Sequence, residues 1–153
     1  MRYWLMKTEP GTFGVEHLAA APRRTSAWDG VRNFQARNML RDEMRRGDQA
    51  FLYHSGAVPG IVAVMQIVKQ GYPDPTAFDR KHHHYDPDSD PANPRWFMVD
   101  VQLKRRLARP IALEELRAHA GKKLKGMVLL RPGNRLSITP VEAAHWKFIL
   151  SLE

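Results

Sequence analysis

The sequence contains no cysteine and no long apolar run. Disulfides and thiolate metal sites are therefore excluded, and disulfide usage says nothing about the compartment. No apolar stretch approaches the ~20 residues of a membrane-spanning helix, so we predict no membrane partner. The opening MRYWLMKTEP lacks the long apolar region and the small-residue cleavage site of a signal peptide. We therefore predict a cytoplasmic protein.

The motifs of common catalytic centres are also missing. The sequence has no nucleophile elbow, no phosphate-binding glycine loop and no zinc-protease helix. Ser55, His54 and Asp100 could form a hydrolytic triad only by arbitrary choice, because nothing orients them. The histidines at 82–84 match no standard zinc spacing, and consecutive loop residues are not expected to converge on one ion, so a solvated loop is favoured. We predict a binding protein rather than an enzyme, with no metal and no cofactor.

The composition that remains is that of one basic globular domain. The chain has 153 residues, 43% of them hydrophobic, which suits a single domain over residues 1–153 with a sizeable core. No repeat, low-complexity tract or linker divides it, and a monomer is the default expectation. The formal net charge is +8. A charge of this sign favours a polyanionic partner, and nucleic acid is the commonest one.

Hydrophobic periodicity predicts an α+β fold. Strands are predicted over residues 3–7, 49–54, 61–69 and 96–106, with short strands at 127–130 and 136–138, and helices over 13–21, 31–46, 111–120 and from 140 onward. Asp29 is a plausible cap for the second helix, whose inner face would include Phe34. Thr139 and Glu142 form a capping box for the last helix, with Pro140 at its first position. The expected result is a small curved sheet or barrel of about five to six strands with several helices around it.

Three stretches have the composition of one recognition pocket. They are YWLMKTEP at 3–10, WDGVRNFQARN at 28–38 and FLYHS at 51–55. Each places polar groups and an aromatic residue beside apolar positions. This mixture is typical of a small concave site for a flat polar group such as a base, which requires stacking faces and fixed hydrogen-bond partners.

These stretches resemble the EVE domain family of the PUA-like superfamily. The resemblance also includes IVAVMQIV after FLYHS, YDP at 85–87, WFMVDV at 96–101 and RLSITPVEAAHW at 135–146, so it covers essentially the whole chain. It implies a PUA-like barrel with surrounding helices, in a protein similar to stand-alone bacterial members. It further implies a non-enzymatic pocket for a modified base, with 5-methylcytosine-type bases in DNA favoured. An RNA-binding PUA-like protein acting on modified RNA is the alternative.

Two tryptophans are candidates for the aromatic walls of the pocket. Trp28 precedes a predicted helix and matches the family's tryptophan before GVRN, so we expect it to stack on the ligand; the alternative is a core position. Trp96 begins a strand and would supply a second wall, although such a position is more often core. Tyr53 could close the pocket or pack in the core. Trp4 and Trp146 are predicted core residues.

Polar groups for the edge of the base come from all three stretches. Lys7 could contact a phosphate or a base carbonyl, and Glu9 could accept from an exocyclic amine or serve as a cap or ion-pair partner. Asn33 offers both a donor and an acceptor to a base, or a structural bond to a loop. His54 and Ser55 end a strand, where Ser55 could bond to the base and His54 would be a pocket residue or simply exposed.

Basic residues outside the pocket are candidates for contacts to the phosphate backbone. We expect such contacts from Arg32, Lys122, Lys123, Lys125, Arg131 and Arg135. Each neutralised phosphate adds about −0.9 to the log–log salt slope on duplex DNA, so these contacts can be counted by titration.

Overall fold

A mixed six-stranded sheet organises the chain, and the computed structural model describes residues 1–153. The strands are β1 (Tyr3–Thr8), β2 (Thr25–Ala27), β3 (Gln49–His54), β4 (Gly60–Pro73), β5 (Phe97–Ala112) and β6 (Ile138–Val141). Their order in the sheet is β2-β5-β4-β3-β1-β6. β1 and β3 are parallel and all other neighbours are antiparallel. The α+β prediction is confirmed, with an open curved sheet rather than a closed barrel.

Four helices and several short turns accompany the sheet. The helices are α1 (Val15–Ala20), α2 (Phe34–Asn38), α3 (Leu113–Ala118) and α4 (Ala143–Leu150), and 3₁₀ turns occupy Pro22–Arg24, Pro75–Phe78 and Val128–Leu130. α2 continues directly into a π-helical turn at Met39–Glu43. The short strand predicted at 127–130 is therefore wrong, because that segment forms a 3₁₀ turn.

The sheet separates two hydrophobic cores through the alternation of its side chains. In β1, Trp4 and Met6 belong to the first core, whereas Leu5 belongs to the second. In β5 the predicted alternation is confirmed, since Val99 and Val101 are fully buried in the first core. Register shifts along β4 and β5 bend these long strands, and the bend gives the sheet its curvature.

The predicted capping box of the last helix is wrong. Residues 138–141 pair with β1 as strand β6, so Thr139 lies opposite Leu5 and its Oγ1 is buried without a partner. α4 then begins at Ala143, after Glu142. Strand pairing satisfies several backbone groups at once and outweighs the single side-chain bond of a cap. The predicted inward position of Trp146 is confirmed, whereas Ala143 is exposed.

The predicted helix at 31–46 begins three residues late. Asn33 rather than Asp29 is its cap, because Asn33 Oδ1 accepts the backbone N–H of Ala36 at 2.9 Å. The preceding residues 28–33 form an irregular segment that carries cavity groups. Phe34 is 53% exposed, so its predicted place on the inner face is also wrong.

Candidate functional site

An open cavity with a volume of about 690 Å³ lies beside the first core. Its walls come from the end of β1 with the turn that follows, the segment between β2 and α2, the loop before β5, and the segment before β6. The lining residues are Lys7, Thr8, Thr12, Phe13, Ser26, Ala27, Trp28, Asp29, Gly30, Val31, Arg32, Asn33, His82, His83, His84, Arg135 and Ser137. The volume lies in the range of small-molecule sites, roughly 300–1,000 Å³.

Trp28 is the aromatic wall of this cavity. Its backbone N–H donates to the carbonyl of Val99 at 2.8 Å, which ties it to β5, and its ring meets Phe13 edge-on at 6.2 Å between centroids. The side chain is held firmly, with only 7% of the residue exposed. The indole N–H groups of Trp4 and Trp96 donate to aspartates, whereas that of Trp28 has no partner within the chain. Trp28 therefore supplies both an aromatic surface and a free donor.

The buried carboxylate of Asp74 holds the cavity segment 28–33 through hydrogen bonds. Asp74 Oδ2 accepts the backbone N–H of Gly30 at 2.9 Å and Nη1 of Arg32 at 3.1 Å, while Oδ1 accepts from Thr76. Burial raises the pKa of Asp74, but the hydrogen bonds from Thr76, Gly30 and Arg32 outweigh burial and hold that pKa below its ordinary value. The carboxylate stays charged and keeps the segment in place.

Gly30 permits the close packing of the histidine loop against this segment. Its φ is +77°, and a Cβ at this position would lie 2.4 Å from ring atoms of His84. A larger residue would therefore be strained and would also displace the imidazole. The Arg32 guanidinium also links the two segments, because it donates to the His84 carbonyl through Nε at 3.2 Å and Nη2 at 2.8 Å. Arg32 lines the cavity, and its guanidinium is engaged by protein groups, including an ion pair with Asp74, rather than free for the expected phosphate contact.

The histidines at 82–84 form part of the cavity wall. The expectation that consecutive histidines could not gather is wrong, since one ring nitrogen from each lies within 4.8 Å of the others. His82 Nδ1 accepts the backbone N–H of His84 at 3.0 Å, and His84 Nδ1 faces Thr76 Oγ1 at 3.2 Å. Burial lowers the pKa of His84. Two ring nitrogens of the loop are thus engaged within the chain.

Asn33 and Lys7 line the cavity, and each also has a structural position. Asn33 uses Oδ1 to cap α2, so only its amide nitrogen is left for a ligand. Lys7 lies opposite Tyr53 in the parallel pair of β1 and β3, and its Nζ is 5.9 Å from the Tyr53 ring. Burial lowers the pKa of Lys7. By alternation its side chain shares the face of Leu5, so its ammonium points away from the first core.

The third predicted stretch, 51–55, does not reach the cavity. Tyr53 is 3% exposed and packs in the second core. His54 Nε2 accepts the backbone N–H of Val15 at 3.1 Å, and Ser55 Oγ donates to the carbonyl of Thr8 at 3.2 Å. None of the residues 51–55 is among the cavity-lining residues. They support the strand and α1 instead of lining the site.

Glu9 and Trp96 also lie outside the cavity lining. Glu9 is exposed, and its carboxylate approaches Gly56, where a Cβ would lie 2.7 Å from Oε1. Trp96 is buried, donates to Asp86 Oδ2 at 2.6 Å and stacks on Phe34 at 4.9 Å between centroids. Trp96 thus supports the surface next to the cavity and is not one of its walls.

The predicted phosphate contacts fall on two different sides of the molecule. Arg135 is exposed at the cavity and makes no hydrogen bond or ion pair. Lys122, Lys123 and Lys125 are exposed on the turn after α3, around a leucine buried in the second core. Arg131 lines a second cavity of about 330 Å³, beside the start of β1. Arg135 is therefore the free cation among them that adjoins the main cavity.

Sequence reasoning missed the residues that join the cavity segments. Asp74 binds Arg32 across 42 positions of the chain, a separation at which no local pattern exists. A usable signal was present at Gly30, because glycine after Asp29 often marks a positive φ. Nothing local indicated that the histidine loop would pack there.

The family model described as EVE domain matches residues 2–152. The chain belongs to the EVE domain family. Human thymocyte nuclear protein 1 is 47% identical over 167 residues, covering 99% of this chain and 73% of that protein. The zebrafish (Danio rerio) protein of the same name is 48% identical over 166 residues, covering 98% of this chain and 71% of its relative.

Solved EVE structures share the fold closely. The structure of human THYN1 in complex with 5-methylcytosine-containing DNA has a TM-score of 0.94 at 46% identity and covers 99% of this chain and 97% of that chain. A protein from Pseudomonas putida has a TM-score of 0.91 at 40% identity, with 98% of each chain covered. Relatives are thus found in animals and bacteria, so the similarity does not assign a source. None of the helices has the length and apolar character needed to cross a membrane.

Proposed function

We propose that this EVE domain binds DNA containing 5-methylcytosine and holds the modified base in the Trp28 cavity without catalysing a reaction. The observation that carries the proposal is the cavity itself. It has a volume of about 690 Å³, and a firmly held indole with a free N–H forms its wall. Similarity to human THYN1, solved with such DNA, supports the choice of ligand.

The proposed binding requires the base to leave the duplex stack and enter the cavity. Stacking on Trp28 would recover roughly 1–3 kcal/mol of the cost of extrusion. The Asn33 amide nitrogen and the Trp28 N–H are donors suited to the carbonyl and ring-nitrogen acceptors of cytosine. Arg135 is placed to meet a phosphate at the opening. Main-chain groups of the segment 26–33 add further partners.

Discrimination of the methyl group would come from the apolar part of the wall. Phe13 and Val31 line the cavity beside Trp28. Burying one methyl group is worth about 0.8 kcal/mol, which corresponds to about a fourfold preference for the methylated base. A preference much above this value would require a polar rearrangement around the base as well. Affinity itself would depend mainly on phosphate contacts and on stacking.

The test is fluorescence anisotropy with matched DNA and RNA oligonucleotides that carry cytosine or 5-methylcytosine, at two salt concentrations. We expect a salt-resistant preference for the methylated DNA and about a tenfold weaker affinity for Trp28→Ala, the loss of one stack. Trp28→Phe, which keeps an aromatic face, should retain most of the affinity. Equal and strongly salt-dependent binding to every probe would contradict the proposal. A preference for the RNA probes would support the RNA-binding alternative.

A further inference from the structure

Phe34 is a large aromatic side chain that the fold leaves in solvent. It is 53% exposed, while Trp4, Trp28, Trp96 and Trp146 are all buried. Phe34 is the first residue of α2 and follows Asn33 of the cavity lining. Single exposed apolar residues are common and by themselves mean little. The surroundings of Phe34 are what distinguish it.

The ring of Phe34 is held in a fixed orientation next to the cavity. It stacks on Trp96 with 4.9 Å between centroids and an interplanar angle of 26°. Trp96 is itself fixed by its bond to Asp86, and the Arg32 guanidinium lies 5.4 Å from the Trp96 ring. Arg32 also lines the cavity. A continuous layer of side chains therefore connects the cavity wall to the outer face of Phe34.

Two guanidinium groups lie over this exposed ring. The Cζ atoms of Arg37 and Arg95 lie 5.0 Å and 5.9 Å from the Phe34 centroid. Arg37 donates to the carbonyl of Arg95 at 2.6 Å, and Arg95 approaches Asp86 at 3.6 Å. Proteins stack the bases of single strands on aromatic rings and on guanidinium planes, and the cations also attract the phosphates.

We propose that Phe34, Arg37 and Arg95 form a second nucleic-acid contact, a stacking surface for the nucleotide next to the base held in the cavity. This inference rests on the proposed function and extends it. When a base leaves the stack, its neighbour loses one stacking face. Phe34, with the guanidinium groups of Arg37 and Arg95 over its ring, would supply a replacement stacking layer beside Asn33 of the cavity lining, and the two cations would attract the adjoining phosphates. The surface would stabilise the extruded state without contacting the modified base.

The test places 2-aminopurine beside 5-methylcytosine in a DNA probe, since its fluorescence reports stacking. We expect wild-type protein to change this fluorescence on binding and Phe34→Ala to lose the change together with about tenfold in affinity. Phe34→Tyr should restore both. Val58→Ala removes another exposed apolar side chain, on the turn between β3 and β4, and should behave as wild type.

Salt dependence separates the two components of the surface. Phe34→Ala should leave the log–log salt slope unchanged, whereas Arg95→Ala should reduce it by about 0.9 on duplex DNA. Unchanged affinity and unchanged 2-aminopurine fluorescence in a folded Phe34→Ala protein would overturn the inference.

An unmodified single-stranded probe makes failure of this inference distinguishable from failure of the proposed function. If wild type does not prefer methylated DNA but Phe34→Ala still weakens binding to this probe about tenfold, the stacking surface stands and the proposed ligand is wrong. If wild type prefers methylated DNA and Phe34→Ala has no effect on any probe, the cavity stands and the stacking surface is wrong.

Discussion

The two faces of the sheet each contain a buried tryptophan, but different elements cover it on each face. On the second-core face, α4 packs Trp146 against Phe51 and Tyr3, with ring centroids 3.9 Å and 4.6 Å apart, and this packing covers the indole. On the first-core face, Trp28 meets only the edge of Phe13, and the core opens into the cavity. A helix covers one indole, while loops surround the other. The same residue type is therefore a core residue on one face and a candidate ligand contact on the other.

The strongest test of this contrast compares the two tryptophans directly. Trp146→Ala should lower the free energy of unfolding by about 3–5 kcal/mol, because it removes a buried ring that stacks on two aromatic neighbours. Trp28→Ala should cost clearly less, because solvent already reaches the cavity beside it. Urea denaturation followed by circular dichroism measures both values. An equal loss in the two variants would mean that the two faces are equally closed.

A second test asks whether the open face depends on close packing of its loops. Gly30→Ala should lower the free energy of unfolding by about 1–3 kcal/mol through strain at positive φ, and the new Cβ would push on His84 as well. Gly47→Ala is the matched control, since Gly47 has φ +96° and nothing within 4 Å of a Cβ. Both variants carry the backbone strain, but only Gly30→Ala should weaken binding of methylated DNA. Equal binding by the two would show that the histidine loop is not part of the site.

These contrasts also indicate how far local sequence signals reach. The bounds of β3 at Gln49–His54 and the core positions of Trp4 and Trp146 follow from hydrophobic pattern alone, and the structure confirms them. Trp28 lies at the cavity in the position expected before a helix, whereas Asn33, expected inside that helix, lies at the cavity as its cap. In each case the local pattern indicated the position, although distant residues hold the side chain there, as Asp48 holds Trp4.

Features that depend on distant partners were beyond such signals. The capping sequence at Thr139 is a valid local signal, but pairing with Leu5 across the sheet outweighs it. Tyr53 and Ser55 were candidates for the pocket because their stretch has the right composition, yet Tyr53 faces the second core and Ser55 bonds to the backbone of Thr8. Composition identifies groups capable of recognition, whereas topology decides which of them meet.

A third test uses pH to examine the support beneath the open face. Burial lowers the pKa of His54 below 6.5, and its Nε2 accepts the backbone N–H of Val15. Below pH ~6.5 the unfolded chain therefore binds a proton that the folded chain resists, so stability falls as the pH drops toward the folded pKa. His54→Gln should remove this contribution and change stability at pH 7 by only about 1 kcal/mol.

The measurement is a set of urea curves between pH 7.5 and pH 5 for both proteins, chosen to span the ordinary histidine pKa of ~6.5. The pKa of His84 is also lowered by burial, so wild type and variant share that contribution, and their difference isolates His54. Parallel pH profiles would show that His54 does not couple β3 to α1 through its neutral ring.

The prediction with the smallest expected effect tests which face of the sheet contacts the DNA backbone. Arg135 is a free cation at the cavity, while Lys123 is exposed on the turn that packs over the second core. Arg135→Ala should reduce the log–log salt slope of DNA binding by about 0.9, the value for one phosphate contact, and Lys123→Ala should leave it unchanged. Anisotropy titrations at several salt concentrations that span about a tenfold range measure this slope. If Lys123→Ala reduces the slope and Arg135→Ala does not, the DNA backbone contacts the second-core face. The cavity would then require a ligand other than a base of that duplex.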